Sequence, residues 1–413
     1  MNMRSNNKEY ECSYFGSEEL LSFWLGEFPE LDGFVKDRHF SSCDIENAEC
    51  NTIVLSSSEQ QNPTLPFKRL LSLSQYLELL LANSLILPNK LRIDFSTLCQ
   101  LNCRDCYMRE ANYGTMGRGY LKLENFKRLI EDNPQIKEIE ASNSGELFLN
   151  PDLVDIIKHA HERRVRLTAY NGVNFNTVSD AQLLALVKYK FGGLTLSIDG
   201  ACNETYANYR RGGDFSTVIE NVKKLLAYKK KYNSIYPVLR WQYIIMDNNE
   251  EDIPYAKKLA SELGIPIEFK LTWNKSYKPK NIELLKRETG LSSFERGSHE
   301  NGAPYFGHLK CIQMFLSPQI NWDGRLLGCC SLYKEDYGVN VFDVGLRAAL
   351  CNPRYIAAKK YLLFGEATEE IDLPCLRCST NRKMRLSQTE LQIIKNSYGE
   401  EHMPKRIDYI PYS

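Results

Sequence analysis

The run Cys99-Gln100-Leu101-Asn102-Cys103-Arg104-Asp105-Cys106-Tyr107 decides how the rest of the chain is read. Three thiolates on one short loop can hold three irons of a four-iron cluster and leave the fourth iron open to a ligand that is not protein. The competing readings are a zinc loop or three small hydrophobes that lie close together. A structural zinc site normally closes with a fourth protein ligand, and no cysteine or histidine follows Cys106 until His159. The run therefore predicts an iron–sulfur loop.

This spacing, with an aromatic residue directly after the third cysteine, resembles that of the radical S-adenosylmethionine (SAM) superfamily. The triplet follows the short apolar segment Leu91 to Phe95, which the resemblance makes the first strand of a partial parallel α/β barrel. Downstream, Ser144-Gly145-Glu146 is similar to the family's Gly-Gly-Glu, with Ser144 in place of the first glycine. A glycine there lets backbone approach, and the resemblance implies that Glu146 holds the methionine amino group. Val165 to Tyr170 is strand-like and ends in Asn171-Gly172, a turn signal and also the family's usual third-strand ending. Leu194 to Gly200 alternates as a strand does and precedes Tyr209-Arg210-Arg211. In relatives with this strand end, the serine and a following arginine bind the methionine carboxylate. Ser197 and Arg210 are implied for that task, with Arg211 as the rival. A guanidinium fork suits a carboxylate because it makes two parallel hydrogen bonds. Asp199 has a separate reading as the cap of the next helix. With Tyr107 and Gly145, these residues form the expected cofactor-binding set.

Around the motifs, strand-like and helix-like segments alternate. Helices are expected at Leu121 to Asp132, Asp152 to Arg164, Asp180 to Lys190, Phe215 to Tyr232 and Glu250 to Gly264, and further strands near Val238 to Met246 and Ile267 to Trp273. Such alternation implies βαβ units and a parallel sheet. About six units suit an open (β/α)6 barrel better than a closed eight-stranded one, and an open side leaves room for substrate. The expected fold class is α/β: a module at residues 1–88, the barrel at 89–285, a small iron–sulfur domain at 300–390 and a tail at 391–413.

A second cysteine group, Cys311, Cys329, Cys330, Cys351, Cys375 and Cys378, lies toward the C-terminus. Cys375 and Cys378 form a Cys-x-x-Cys, which by itself suits zinc, a disulfide or a cluster. Together with Cys311 and the segment Gly324 to Cys329, the pair resembles the twitch domain, the shortened form of the SPASM domain that follows the barrel in many radical SAM enzymes. No cysteine lies in residues 379–413, so the resemblance implies one auxiliary 4Fe–4S cluster held by Cys311, Cys329, Cys375 and Cys378. Cys330 competes with Cys329 for its ligand position.

Composition is that of a globular protein, 43% hydrophobic and 25% charged. Fifty-two basic and fifty-two acidic residues cancel, so no electrostatic reason exists to expect nucleic acid. The thirteen cysteines are odd in number and the first residues have no apolar core, so a cytoplasmic, reducing setting is expected. No stretch approaches the roughly twenty apolar residues that span a bilayer. Leu70 to Leu87 is interrupted by polar residues and predicts an amphipathic core helix, while Ser56 to Pro66 reads as a linker. Residues 1–88 have the size of the winged-helix leader-binding module of peptide-modifying relatives, but Phe23, Trp24, Phe28, Phe34 and Phe40 read as core.

The resemblance implies a reduced 4Fe–4S cluster that splits bound SAM and a 5′-deoxyadenosyl radical that takes a hydrogen atom from a C–H bond. An electron donor such as flavodoxin or ferredoxin is implied as a partner. The expected reaction is oxidation or epimerisation of a small polar metabolite, sugar-like or aminocyclitol-like, because the twitch spacing resembles that of an aminocyclitol dehydrogenase. The alternatives are maturation of a ribosomally made peptide and a non-catalytic iron–sulfur electron carrier. For epimerisation, Cys330 is the candidate catalytic hydrogen donor and Cys351 its rival.

Overall fold

The computed structural model describes residues 87–294 apart from 105 and 111–115, residue 296, and residues 309–378 apart from 333 and 365–370. It also describes Ala82, Ser84 and four N-terminal strands. The chain divides into two units, one of residues 1–87, 353–373 and 383–413, the other of 88–352 and 374–382.

The first unit holds a four-stranded sheet, β1 (Cys12–Phe15), β2 (Val35–His39), β3 (Ile53–Ser56) and β4 (Leu70–Ser72), in the order β2-β1-β3-β4 with every pair parallel. Parallel neighbours need crossovers of roughly a dozen residues, which the stretches 16–34, 40–52 and 57–69 supply. The helix expected from Leu70 thus gives way to a strand at Leu70–Ser72, because apolar Leu70 and Leu71 pair with Val54 and Leu55. Ser56, expected to open a linker, closes β3. The remainder of both expected segments lies outside the described residues, except Ala82, which is helical, Ser84, which lies in a turn, and Leu87.

The second unit is the expected partial barrel. Six parallel strands run in sequence order, β5 (Lys90–Ile93), β6 (Glu138–Glu140), β7 (Arg166–Val173), β8 (Gly193–Ser197), β9 (Val238–Ile245) and β10 (Ile267–Leu271). Between them lie the helices Leu123–Glu131, Leu153–Glu162, Asp180–Lys188, Phe215–Lys231 and Ile253–Leu263. Ser179 opens one with a capping box and Asp214 opens another by accepting the Thr217 N–H at 2.6 Å. Strand side chains alternate between faces. Leu91, Ile93, Ile139, Leu167, Leu194 and Trp241 are all buried, and Phe95 meets Phe126 of the helix Leu123–Glu131 edge to face. The opposite, concave face carries the polar residues Arg92, Glu140, Thr168, Ser197, Gln242 and Lys270, together with Val238 and Ile244 of β9. β7 continues through Asn171-Gly172, where a turn was expected. The pair forms an irregularity in the register with β8 between Ala169 and Val173, which re-aims the strand end as a bulge does.

After β10, a hairpin enlarges the sheet at its other edge: β11 (Gln319–Ile320) lies parallel to β5, and β12 (Leu326–Gly328) antiparallel to β11. No helix among the described residues is long and apolar enough to cross a membrane.

Candidate functional site

The cysteine loop leaves the C-terminal end of β5, where open parallel sheets place their ligands. Its backbone is pinned on two sides. Glu146 N–H donates to Leu98 O at 2.7 Å, while the N–H groups of Asn102 and Arg104 donate to Arg211 O and Tyr209 O at 2.7 and 3.1 Å. The Arg104 guanidinium stacks 3.7 Å from the Tyr277 ring centroid and donates to Asn208 Oδ1 at 2.9 Å.

Cys99, Cys103 and Cys106 are half-buried and free. Burial pushes the Cys99 thiol up to about 12, with Glu146, Cys103 and Cys106 adding to the effect, and burial likewise raises Cys103. Among the described residues no three His, Cys, Asp or Glu side chains close around a single metal ion. Cys103 and Cys106 both act on the Cys99 thiol, and Cys106 acts on Cys103, so the three lie within electrostatic reach of one another. Buried thiols that repel one another as thiolates need a cationic centre between them. The donor set therefore fits the irons of a cluster.

Glu146 is buried and caps a short turn at Leu147–Leu149. Its Oε2 accepts the Asn174 N–H at 2.8 Å and its Oε1 the Phe148 N–H at 3.2 Å. Burial pushes it up to about 7 against those two bonds and the charge of Arg210. Gly145 has φ +67°, and a Cβ there would lie 2.3 Å from Ser96 O, so this turn closes on β5 only with glycine. Gly172 has φ +120°, and its missing Cβ would fall 2.3 Å from Ser197 Oγ. The bulge in β7 thus makes room for the serine at the end of β8.

Arg210 and its rival part company in the structure. The Arg211 side chain is exposed. Arg210 turns inward, with Nε and Nη2 donating to Asp199 Oδ2 at 2.6 and 2.5 Å and Nη1 lying 3.8 Å from Cys103 Sγ. Burial works against its charge, but Asp199 and Cys103 outweigh it and raise its pKa further. Asp199 therefore caps no helix; Cys202 precedes the helix Asn203–Tyr209. Asp199 Oδ1 accepts the Ile244 N–H at 2.7 Å, so β9 fixes the carboxylate that fixes the arginine. Glu146, in the loop after β6, acts on Cys99, and Arg210, at the end of the helix Asn203–Tyr209, reaches Cys103, while Ser197 ends β8 against Gly172.

Tyr107 opens the short helix Tyr107–Glu110. Its hydroxyl lies 3.0 Å from Ser144 Oγ and 3.3 Å from Asn143 O, so the serine that replaces a glycine gives the phenol a partner.

The second cysteine group is spread over three elements. Cys311 lies on the helix Leu309–Leu316, Cys329 and Cys330 follow β12, and Cys375 opens the turn Pro374–Arg377 before Cys378. Burial raises the Cys329 thiol, with Cys330, Cys375 and Cys311 adding to it. Burial raises Cys375 as well, helped by Cys378 and opposed by Tyr337, whose hydroxyl lies 3.5 Å from its sulfur. The Cys330 N–H donates to Gln313 Oε1 at 3.0 Å. Between the two groups lies a small apolar cluster of Met108, Met116 and Leu327, against which Cys106 packs. Cys351 ends the helix Leu346–Leu350.

Three residues of this region went unread in the sequence. Asp94 and Glu140 are buried acids on the concave face. Glu140 accepts from the hydroxyls of Ser142 and Thr168 at 2.7 and 2.8 Å and from the Tyr170 N–H at 2.9 Å, tying β6 to β7. Gln319, on β11, carried no local signal.

Residues 93–242 match the sequence profile of the radical SAM superfamily. A curated relative, the GTP 3′,8-cyclase of Alkaliphilus metalliredigens (strain QYMF), is 24% identical over 187 residues, 44% of this chain and 55% of the relative, so the match spans about half of the relative's length. Among solved structures, Streptococcus suis SuiB bound to S-adenosylmethionine superposes with a TM-score of 0.51 at 15% identity, over 72% of each chain. SuiB bound to the precursor peptide SuiA gives 0.50 at 16% identity, over 72% of this chain and 71% of that one. These two likenesses are of fold.

Proposed function

We propose, for a chain that belongs to the radical SAM superfamily through residues 93–242, that it abstracts hydrogen from a C–H carbon of a small polar metabolite and oxidises or epimerises it. A 4Fe–4S cluster with SAM at its open iron supplies the 5′-deoxyadenosyl radical for that step. Cys99, Cys103 and Cys106 are the residues to hold the cluster. Glu146 receives the methionine ammonium of SAM. Arg210 keeps a guanidinium edge turned toward Cys103 for the methionine carboxylate, with Ser197 beside it and Tyr107 and Gly145 completing the cofactor contacts. The approach of Glu146 to Cys99 and of Arg210 to Cys103 is the observation that carries this reading. A plain electron carrier has no use for such a set.

The substrate class rests on the concave face. Side chains that can hydrogen-bond line it from β5 to β10, which suits a hydroxylated or amino-bearing small molecule held inside the barrel. Cys311, Cys329, Cys375 and Cys378 are proposed to hold one auxiliary cluster. Cys330, next to Cys329, is proposed to return a hydrogen atom to the substrate radical if the reaction is an epimerisation. The partner is a one-electron carrier of the flavodoxin or ferredoxin kind.

The second reading, maturation of a peptide, is separated by the same experiment. Anaerobically reconstituted protein is given reductant, SAM and either a panel of polyols and aminocyclitols or peptides. Substrate-dependent release of deoxyadenosine with a polyol or aminocyclitol supports the proposal, and release with peptides alone overturns it in favour of the second reading. An inverted product carrying one solvent deuterium supports Cys330 as donor. A product two electrons more oxidised, without deuterium, assigns the enzyme as a dehydrogenase.

A further inference from the structure

Arg92 takes no part in the cofactor set, yet it lies half-buried on the concave face, where β5 runs up to the cysteine loop. A charge taken out of water is normally paired. The other cations of that face obey this: Lys90 and Arg166 share Glu138 at 3.8 and 3.7 Å, and Arg240 and Lys270 share Glu268 at 3.3 and 3.2 Å. Arg92 has no carboxylate within ion-pair reach among the described residues. Its partners are two neutral amides, with Nε donating to Gln319 Oε1 and Nη2 to Asn143 Oδ1, each at 3.1 Å. The neighbouring acids are engaged elsewhere. Glu140 is held by Ser142, Thr168 and Tyr170. Asp94 follows Arg92 on the same face, but the Gln319 amide that accepts from Arg92 donates through Nε2 to Asp94 Oδ2 at 2.8 Å, so arginine and acid act on each other only at longer range. The parallel pairing of β11 with β5 sets Gln319 directly beside Arg92.

The two amides take Nε and one proton of Nη2 and leave Nη1 without a partner among the described residues. Nη1 and Nη2 form the outer edge of the guanidinium, a fork that matches a carboxylate or a phosphate through two parallel hydrogen bonds. Asn143 ties this edge to the cofactor site, because its side chain receives Arg92 while its backbone oxygen lies 3.3 Å from the Tyr107 hydroxyl. We propose that Arg92 anchors an anionic group of the substrate, a carboxylate or a phosphate monoester, with Gln319 and Asn143 fixing the plane of the fork. This rests on the reading of the substrate as a small polar metabolite and adds its charge. A molecule tethered by its anion turns a fixed part of its skeleton toward the cofactor, the positioning that selective hydrogen abstraction needs.

Two measurements on the cluster-loaded protein with SAM test the anchor. Phenylglyoxal labelling, read residue by residue by mass spectrometry, needs no substrate. Arg92 should be labelled, and saturating inorganic phosphate or acetate should abolish that labelling while the exposed Arg211 stays reactive. Which anion protects tells the two sources apart. In the second measurement each polyol and aminocyclitol is offered neutral, as a phosphate monoester and as a carboxylate, and kcat/KM is read from substrate-dependent deoxyadenosine release. One anionic form should exceed the neutral form by about tenfold, the scale of one charge-assisted hydrogen bond. Arg92→Gln should bring that ratio toward one through KM, and Arg92→Lys, which keeps the charge without the fork, should retain part of it. A ratio is blind to partial misfolding. Labelling of Arg92 that neither anion slows, a neutral form that serves as well as its anionic forms, or a ratio that Arg92→Gln leaves intact overturns the inference alone. Release with peptides alone overturns the metabolite reading and the inference with it.

Discussion

Two nitrogens of Arg210 share one oxygen of Asp199, at 2.5 and 2.6 Å, and Asp199 is wholly buried. The pair sits at the turn that closes on the cysteine loop, so the carboxylate decides where the guanidinium points. Breaking a buried pair costs more than never having built it, because the surviving charge is left uncompensated.

Asp199→Asn should therefore lower stability, by up to about 3–5 kcal/mol in the limit of full loss, and weaken SAM binding by about tenfold, the scale of one charge-assisted hydrogen bond. Arg210→Ala should weaken SAM binding comparably, while Arg211→Ala should change neither quantity. Thermal unfolding and dialysis measure both; equal effects at Arg210 and Arg211 would refute the placement.

Metal content tests the two cysteine groups. The reconstituted chain should hold about eight irons, and replacing Cys99, Cys103 and Cys106 with alanine should leave about four. Loss of Cys375 and Cys378 should remove the other about four while SAM binding persists. Full iron in the triple variant, or zinc in the native protein, sinks the assignment.

Gly172→Ala drives a Cβ into Ser197 Oγ at a backbone conformation that favours glycine. Cofactor affinity should fall with iron content unchanged, and Ser197→Gly in the same chain should relieve the clash and restore part of the stability. A fully stable Gly172→Ala protein with wild-type affinity would show that the two residues do not meet.

Asp94 also writes itself into stability. Its pKa rises from 3.8 to about 7 on folding. Between those values the folded chain keeps a proton that the unfolded chain has lost, so stability present in full below about 4 is lost as pH rises to about 7. Asp94→Asn removes that loss. Its melting temperature should gain on the wild type as pH goes from 5 to 8, with a ceiling of about 4 kcal/mol. A constant difference across that range would argue that Asp94 is ionised when folded.

Much of the molecule was legible in one dimension because its causes are local. Cluster spacing needs only one loop, so Cys99, Cys103 and Cys106 stand out without any partner. Strand-like and helical patterns place β5, β7 to β10 and the helices between them to within a few residues. Glu146 follows a glycine that the close approach to Ser96 demands.

What the line of residues left open depends on which segments meet. That Arg210 turns inward while Arg211 stays exposed depends on Asp199 and on the β9 amide that holds it. Asn171-Gly172 reads as a turn until β8 offers its neighbouring edge. Leu70 and Leu71 become a strand because β3 is there to pair with them. The bond of Asp94 to Gln319 spans 225 positions, and no local propensity carries information over that distance. A buried polar group acquires its meaning from the groups that satisfy it or leave it unsatisfied, and only the folded chain brings those groups within reach.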